Sequence, residues 1–277
     1  MVQIITDSST LYKIDEAQSK GFEAVPLCVS IGDWDGRDLH MDYDRFYDTI
    51  KSGQHPKSSQ PPIGDVVDAF EKYPNDEIIN ISMADGLSGT YQSACSAREM
   101  VEHKDNITVI NSRTLCGPHR YMVTMAQKMK EEGKTAKEII DWVVQKSHET
   151  HSWLIPQDFG FLRRGGRMTP TAAAIGSVLK LKPVLTLTED CKKLDKFAIK
   201  RTFSSAVKAV LDSLDAKKFN KDYIFYVVHA RAHKDCQMAV DMIKKAFPEV
   251  EVQTYELSHA FITQGGPQCV AIQYIKR

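Results

Sequence analysis

Residues 84–89 have the composition of an anion-binding loop. Two glycines, Gly86 and Gly89, lie beside the carboxylate of Asp85 and the hydroxyl of Ser88. A glycine-rich turn before a helix leaves backbone N–H groups free, and the positive end of the helix adds to their attraction for an anion. Ser88 is also a good candidate for the N-cap of that helix. An ordinary turn between a strand and a helix accounts for the same residues about equally well.

The elements on either side would hold this loop at the edge of a sheet. The apolar, isoleucine-rich residues 78–82 predict a strand. From about Thr90 onward, apolar residues recur every three or four positions, which predicts an amphipathic helix. We therefore expect a strand, a tight loop and a helix, in that order.

Two further loops carry hydroxyl groups next to predicted elements. Residues 6–10 follow the first predicted strand, and Asp7 lies among four hydroxyl side chains there. Ser58 and Ser59 precede a helix that is predicted to begin after two prolines and to span residues 63–72. Loops at these places can bind ligands in α/β proteins, but each is also explained as an ordinary capped loop.

A basic stretch spans residues 161–168. Arg163, Arg164 and Arg167 surround a pair of glycines. Guanidinium groups can grip a carboxylate or phosphate through two parallel hydrogen bonds. A solvated basic loop at a domain junction is the alternative interpretation.

Several classes of function are disfavoured. Lys plus Arg and Asp plus Glu both number 36, and this balance argues against a protein that binds duplex nucleic acid. No apolar run approaches the roughly 20 residues of a membrane span, and residues 1–7 do not resemble a signal peptide. The six cysteines are scattered without a Cys-x-x-Cys pair, which favours a reducing cytoplasm.

Metal and catalytic motifs are likewise missing. Residues 32–38 lack the terminal glutamate of a calcium loop, and His229 and His233 lack the glutamate of a zinc-protease helix. Ser88 does not lie in a Gly-x-Ser-x-Gly elbow, and the chain has no phosphate-binding Gly-x-x-x-x-Gly-Lys loop. We therefore predict neither a cofactor nor a metal, and no catalytic residue.

The pattern of elements predicts an α/β protein with two domains. The first five predicted strands alternate with helices, so we expect a Rossmann-like parallel sheet that is covered by helices. The fifth of these strands is predicted at residues 153–155, where Pro156 closes it. We place an N-terminal domain at residues 1–156 and a smaller C-terminal α/β domain at residues 157–277.

Five motifs, in the same order, resemble those of the DegV family of bacterial fatty-acid-binding proteins. They include Thr6-Asp7-Ser8-Ser9, Lys57-Ser58-Ser59-Gln60-Pro61, the segment 87–94, the arginine stretch and Lys182-Pro183-Val184-Leu185. The resemblance implies that family's fold, with two α/β domains and a ligand between them. It also implies a carrier without enzymatic activity. Such a carrier presents a long-chain fatty acid to a partner kinase, which makes the acyl phosphate for phospholipid synthesis.

The resemblance also assigns ligand-binding residues. Ser58 takes the place of the family's carboxylate-binding threonine, and Arg167 matches the hinge arginine near the entrance of the ligand. The loop contributes Asp85, Gly86, Ser88 and Gly89, and the closing segment contributes Gln264. By their size alone, the small residues at 172–174 and at 176 would suit close helix packing or leave room for a chain-like ligand.

Two positions depart from the family pattern. Asp85 stands where the family has a serine facing the head group, and Gln264 stands where it has a histidine. His259 lies five residues before Gln264, where the family has proline, so we do not assign it the histidine's role. A carboxylate beside Asp85 is repelled unless the pair shares a proton. One alternative is therefore a ligand with a neutral or cationic head. Two others are an enzyme of the related phosphotransfer folds and a ligand-sensing partner module.

Overall fold

The chain divides into two compact units in a computed structural model that describes residues 1–175 and 181–277. The first unit comprises Met1–His148 together with Ser258–Ala260, and the second comprises Glu149–Leu257 together with Phe261–Arg277.

The strands are β1 Val2–Asp7, β2 Glu23–Val25, β3 Cys28–Ile31, β4 Trp34–Arg37, β5 Lys57–Ser59, β6 Glu77–Ser82, β7 Ile107–Asn111, β8 Thr150–Ile155, β9 Lys182–Leu187, β10 Leu194–Lys200, β11 Tyr223–His229, β12 Glu251–Glu256 and β13 Val270–Lys276. The helices are α1 Ile14–Ser19, α2 Tyr43–Lys51, α3 Ile63–Glu71, α4 Thr90–Arg98, α5 Cys116–Glu131, α6 Ala136–Ser147, α7 Phe159–Gly165, α8 Pro170–Ala173, α9 Phe203–Asp212, α10 His233–Ala246 and α11 His259–Gly265.

A four-stranded parallel sheet forms the centre of the first unit. Its strand order is β2-β1-β6-β7. Ile5 and Ile78 pack with α3 and α4 on one face, while the side chains that alternate with them point to the other face. Because both faces are covered, the strands are almost continuously apolar, as in β6. The predicted α/β fold class with a parallel sheet is confirmed.

A second, smaller sheet of the first unit is antiparallel. Its order is β4-β3-β5, and Val29 lies opposite Ser58. Residues 22–29 predict a single strand in which Pro26 indicates an edge or a bend, whereas the structure has two strands there. The chain bends at Pro26 and Leu27, so β2 joins the parallel sheet and β3 joins the antiparallel one. Proline lacks the N–H group that an uninterrupted strand would need at this point.

The second unit contains a six-stranded mixed sheet in the order β10-β9-β8-β13-β11-β12. Only the β11–β12 pairing is parallel. Helices α9 and α10 pack on this sheet around Phe225, Val227 and Ile272. The strand that we expected as the fifth parallel one is β8, which pairs antiparallel with β13 and β9. That expectation was wrong, because periodicity identifies a strand but not its partners.

The division into units begins at Glu149, just before β8, whereas the sequence-based boundary was placed at residue 156. The hydrogen bonds of β8 to the second sheet explain this difference. Gly176, which we predicted to leave room for a ligand, lies outside the described residues. None of the helices in the described part of the chain is long and apolar enough to cross a lipid bilayer.

Candidate functional site

The loop between β6 and α4 has the predicted strand–loop–helix arrangement. Gly86 has a φ of 88°, a left-handed conformation that glycine adopts without strain. The backbone N–H of Asp85 donates to Asn111 Oδ1 at 3.2 Å, and that of Ala84 donates to the carbonyl of Thr114 at 2.9 Å. These two bonds attach the start of the loop to the end of β7 and to the segment that follows it. The glycines themselves, Gly86 and Gly89, are exposed at the surface of the first unit.

Ser88 lies at the start of α4 but does not cap it as predicted. The N-cap is Gly89, which makes no side-chain capping bond. Ser88 Oγ lies 2.8 Å from Thr90 Oγ1 and accepts a hydrogen bond from the Thr90 N–H at 3.3 Å. The predicted N-cap was therefore wrong by one residue, because the helix begins at Thr90 and the hydroxyl of Ser88 reaches only its first N–H group.

Asp85 places a carboxylate at the mouth of this loop. Its Oδ1 accepts a hydrogen bond from Gln92 Nε2 at 3.3 Å, and the residue is partly exposed. Asp85 and Ser88 are bridge partners across the turn. A negative charge here opposes the attraction that the N–H groups and the start of the helix exert on an anion.

Ser58 and Gly89 line two neighbouring depressions of the first unit. Gly89 shares a groove with Ser59, Gln60 and Gln92. The groove is narrow at Gly89, since a Cβ atom there would lie 3.0 Å from Gln60 Oε1. Ser58 instead lines the other depression, which also includes the basic side chains of Arg37 and Lys57. Arg37 is paired with Asp65 at 2.7 Å, and the carboxylate of Asp35 lines the same depression, so the charges around the predicted serine are mixed.

Asp7 links the loop after β1 to the end of β6. The Asp7 side chain is buried, with Oδ1 accepting from the Ser9 N–H at 2.8 Å and Oδ2 accepting from the Met83 N–H at 2.9 Å. Both carboxylate oxygens therefore satisfy backbone groups. Asp7 positions the two loops rather than offering its charge to a ligand.

His119 joins the same framework from α5, and sequence reasoning missed it. Its Nε2 lies 3.0 Å from the carbonyl of Ile81, which can only accept, so Nε2 carries the proton. Nδ1 therefore accepts the hydrogen bond from Ser9 Oγ at 2.7 Å. Burial lowers the pKa of His119 below its usual value and keeps the ring neutral. The signal available in the sequence was the helical spacing of His119 from Met122, Val123 and Ala126, all of which are buried.

Asp38 is a second buried carboxylate of the first unit. It is completely inaccessible, accepting from Ser8 Oγ at 2.7 Å and from the Ala260 N–H at 3.0 Å. Burial raises the pKa of Asp38, and these hydrogen bonds oppose the rise. His259 Nδ1 lies 4.0 Å from Asp38 Oδ1. Burial lowers the pKa of His259 to about 4, so this contact is not an ion pair at pH 7.

Arg167 and Gln264 come together in the second unit through Gly165. The Arg167 guanidinium donates to the carbonyl of Gly165. The side-chain amide of Gln264 lies so close to Gly165 that any side chain at that position would overlap with it. Arg163 and Arg164 are exposed on α7, and Arg164 lies over the ring of Phe161. Of the three arginines, Arg167, which follows α7, is the least exposed.

A family model described as "Uncharacterised protein, DegV family" matches residues 1–277. The chain belongs to the DegV family. Protein DegV of Bacillus subtilis is 27% identical over 256 residues, which cover 90% of each chain. A DegV domain-containing protein of Clostridium perfringens is 29% identical over 79% of this chain and 77% of its own.

Solved DegV structures share the fold over the full length. A DegV family protein of Thermus thermophilus, described with its fatty acid binding, superimposes with a TM-score of 0.89 at 22% identity and covers 100% of this chain and 99% of its own. DegV of B. subtilis, described as a fatty acid binding protein, gives a TM-score of 0.86 at 26% identity with the same coverage. A DegV protein of Eubacterium eligens loaded with heptadecanoic acid gives 0.84 at 22% identity over the whole of both chains.

Proposed function

We propose that this chain is a fatty-acid-binding protein that carries a long-chain fatty acid in the cytoplasm and presents its carboxylate to a partner kinase. The full-length family match is the observation that carries this proposal. Related DegV proteins are described as fatty acid binding, one of them loaded with heptadecanoic acid. The proposed product of the kinase step is an acyl phosphate.

The proposed head-group contacts are residues of each unit. In the first unit they are the hydroxyls of Ser58 and Ser88 and the backbone of Gly86 and Gly89. A carboxylate needs several hydrogen bonds when it leaves water, because an unpaired buried charge is very costly. Lys57 beside Ser58 favours an anion, whereas the charge of Arg37 is offset by its ion pair with Asp65. In the second unit the proposed contacts are Arg167 and Gln264.

Asp85 favours a second candidate, a lipid with a neutral or cationic head. It is the one member of the proposed set that carries a negative charge, and it lies beside Ser88 at the turn. Like charges at a shared site disfavour the ionised form of both groups. A fatty alcohol or amine would avoid this repulsion.

We propose binding without catalysis, and within the first unit the hydroxyl–imidazole pair is inaccessible. Ser88 Oγ has the hydroxyl of Thr90 as its close partner. Ser9 Oγ does contact His119, but both side chains are fully buried and no substrate could reach them. A hydrolase needs its nucleophile exposed to the substrate.

Native mass spectrometry of the purified protein, followed by organic extraction, tests the carrier proposal. We expect one fatty acid per chain. We also expect a fatty acid kinase to form acyl phosphate from ATP when this loaded protein is supplied. A protein that is empty and takes up no added fatty acid would contradict the proposal. A loaded protein that supports no acyl phosphate formation would leave the binding function and remove the presentation step.

A further inference from the structure

Three side chains that can bind a metal ion meet in the second unit. His229 is the last residue of β11, Glu256 is the last residue of β12, and His233 is the first residue of α10. One ligand atom from each lies within 4.8 Å of the other two. None of these residues belongs to the set that we propose for the fatty acid.

The backbone brings the three side chains together. β11 and β12 are parallel, and His229 lies opposite Glu256 in their register. The N–H of Leu257 donates to the carbonyl of His229 at 2.8 Å, which extends this pairing by one bond. Arg231, with a φ of 56°, turns the chain back so that α10 begins next to the strand ends. Carboxyl ends of parallel strands are a usual place for ligands in α/β sheets.

The distances are close to those of a tetrahedral site. His233 Nε2 lies 3.6 Å from Glu256 Oε1, and the rings of His229 and His233 lie 4.9 Å apart at 70°. Ligand atoms at 2.0–2.2 Å from Zn²⁺ in tetrahedral geometry are separated by about 3.3–3.6 Å. The side chains of His233 and Glu256 are 73% and 45% exposed. Rotation of these exposed side chains can close the difference of about 1 Å between the observed separation of the ligand atoms and the tetrahedral one.

His229 is the buried member of the cluster. It is only 6% exposed, and its Nδ1 is buried with no hydrogen-bond partner among the described residues. Glu256 contributes the negative charge that a cation needs at the start of α10, where the helix end is positive.

Contrary to the expectation from the sequence that the chain binds no metal, we propose that His229, His233 and Glu256 form a binding site for a divalent transition-metal ion of the Zn²⁺ type. Two imidazoles and one carboxylate suit Zn²⁺ better than Mg²⁺ or Ca²⁺, which prefer oxygen ligands. Three protein ligands leave a coordination position for water. The ion would tie the ends of two strands to the start of a helix and thereby stabilise the second unit.

Calorimetric titration of the tag-free protein with Zn²⁺ at pH 7.5 tests this site. We expect wild type to bind one Zn²⁺ ion. The affinity should fall by more than about tenfold, or binding should be lost, in His233→Ala and in Glu256→Gln, since even outer-shell partners change metal affinity by this factor. His148→Asn and Glu249→Gln replace exposed residues outside the cluster and serve as matched controls with wild-type binding.

Thermal unfolding provides the second measurement. Zn²⁺ should raise the melting temperature of wild type and of both controls, whereas Mg²⁺ at the same concentration should not. The two cluster variants should melt near the metal-free wild type and lose the shift. Equal Zn²⁺ binding by wild type, His233→Ala and Glu256→Gln would overturn the proposal, as would a wild type that binds no Zn²⁺ at millimolar concentration.

Discussion

His259 is a buried imidazole whose surroundings disfavour its charged form. Its ring lies 3.9 Å from that of Tyr43 and 4.9 Å from that of Phe46, between centroids, and its side chain is inaccessible. Burial lowers its pKa to about 4; the charge of Asp42 opposes this effect and His40 adds to it. The unfolded chain would protonate this residue near its ordinary pKa of 6.5.

The first prediction is that His259 destabilises the protein as the pH falls from about 6.5 to about 4. In this window the unfolded state binds a proton at His259 that the folded state does not. The stability that the neutral ring contributes is therefore fully present above pH 6.5 and is lost as the pH falls toward 4. The full loss is about 3 kcal/mol, of which roughly 2 kcal/mol falls between pH 6.5 and pH 5. The measurement is urea unfolding of wild type and His259→Phe at pH 7.5 and pH 5.

The phenylalanine variant isolates this effect because it keeps the aromatic contacts. The raised pKa of Asp38 acts in the opposite direction, and the lowered pKa of His119 acts in the same direction, but both groups are present in each protein. Wild type should lose about 2 kcal/mol more than His259→Phe on going to pH 5. Parallel losses in the two proteins would show that His259 does not carry the proton.

The residues that position the loops were only partly predictable. The hydroxyl-rich loop after β1 was identified from its composition, but its role as a framework depends on His119, which is 110 positions away from Ser9. The burial of His259 against Tyr43 has no local signal in the sequence. Contacts between residues so distant in sequence arise from the packing of elements, which periodicity does not describe.

At the scale of elements, one ring connects α5 to β6 and to the loop after β1. His119 donates to the carbonyl of Ile81 and accepts from Ser9 Oγ. Ile81 O also accepts from Thr6 Oγ1 at 2.8 Å, so this carbonyl stays satisfied if the ring is removed. The bond from Ser9 is the one whose loss leaves a buried acceptor unpaired.

We therefore predict that Ser9→Ala destabilises the protein by about 1–3 kcal/mol, the usual cost of an unsatisfied buried polar group. Ser19→Ala is the matched control, since the Ser19 hydroxyl bonds only to the carbonyl of Glu16 on the surface of α1. Its effect should stay within about 0.5 kcal/mol. The measurement is the midpoint of urea unfolding at pH 7.5. Equal midpoints for the two variants would contradict the framework role of Ser9.

Short polar strands were the elements that the sequence did not reveal. β4 contains Asp35 and Gly36, and β5 consists of Lys57, Ser58 and Ser59, so neither shows the alternation of a half-buried strand. Both are strands because β3 lies between them and pairs with each. Longer apolar strands were predicted nearly to the residue, at 78–82 for β6 and at 223–228 for β11, since burial on both faces leaves an apolar run.

At the scale of the whole molecule, family membership and ligand identity rest on different residues. The fold is retained at a TM-score of 0.86 with 26% identity to DegV of B. subtilis. Conserving a fold requires only apolar volume and pattern at most core positions. Ligand choice depends on a few polar positions, and this chain carries an aspartate and a glutamine at two that we assign to the head group. The ligand class therefore has to be tested with head groups rather than inferred from the fold.

The final prediction separates the acyl chain from the head group. Delipidated protein is titrated, below the micelle concentration, with C12, C14 and C16 fatty acids and with the matching alcohols. A buried acyl chain contributes about 0.8 kcal/mol per CH₂, so each two-carbon step should tighten binding by roughly 15-fold until the enclosure is full.

If the head-group site prefers an anionic ligand, acids bind better than alcohols of equal length. In that case Asp85→Ser should tighten acid binding by about fivefold, since removing a like charge near the surface is worth about 1 kcal/mol.

Asp105→Asn, an exposed aspartate outside the proposed site, is the control for the change in charge. Alcohols that bind better than acids in wild type, with the order reversed in Asp85→Ser, would assign the change of ligand class to that single carboxylate. Affinity that does not depend on chain length would contradict the burial of an acyl chain, whatever the head group, because the apolar contribution is the same for both series.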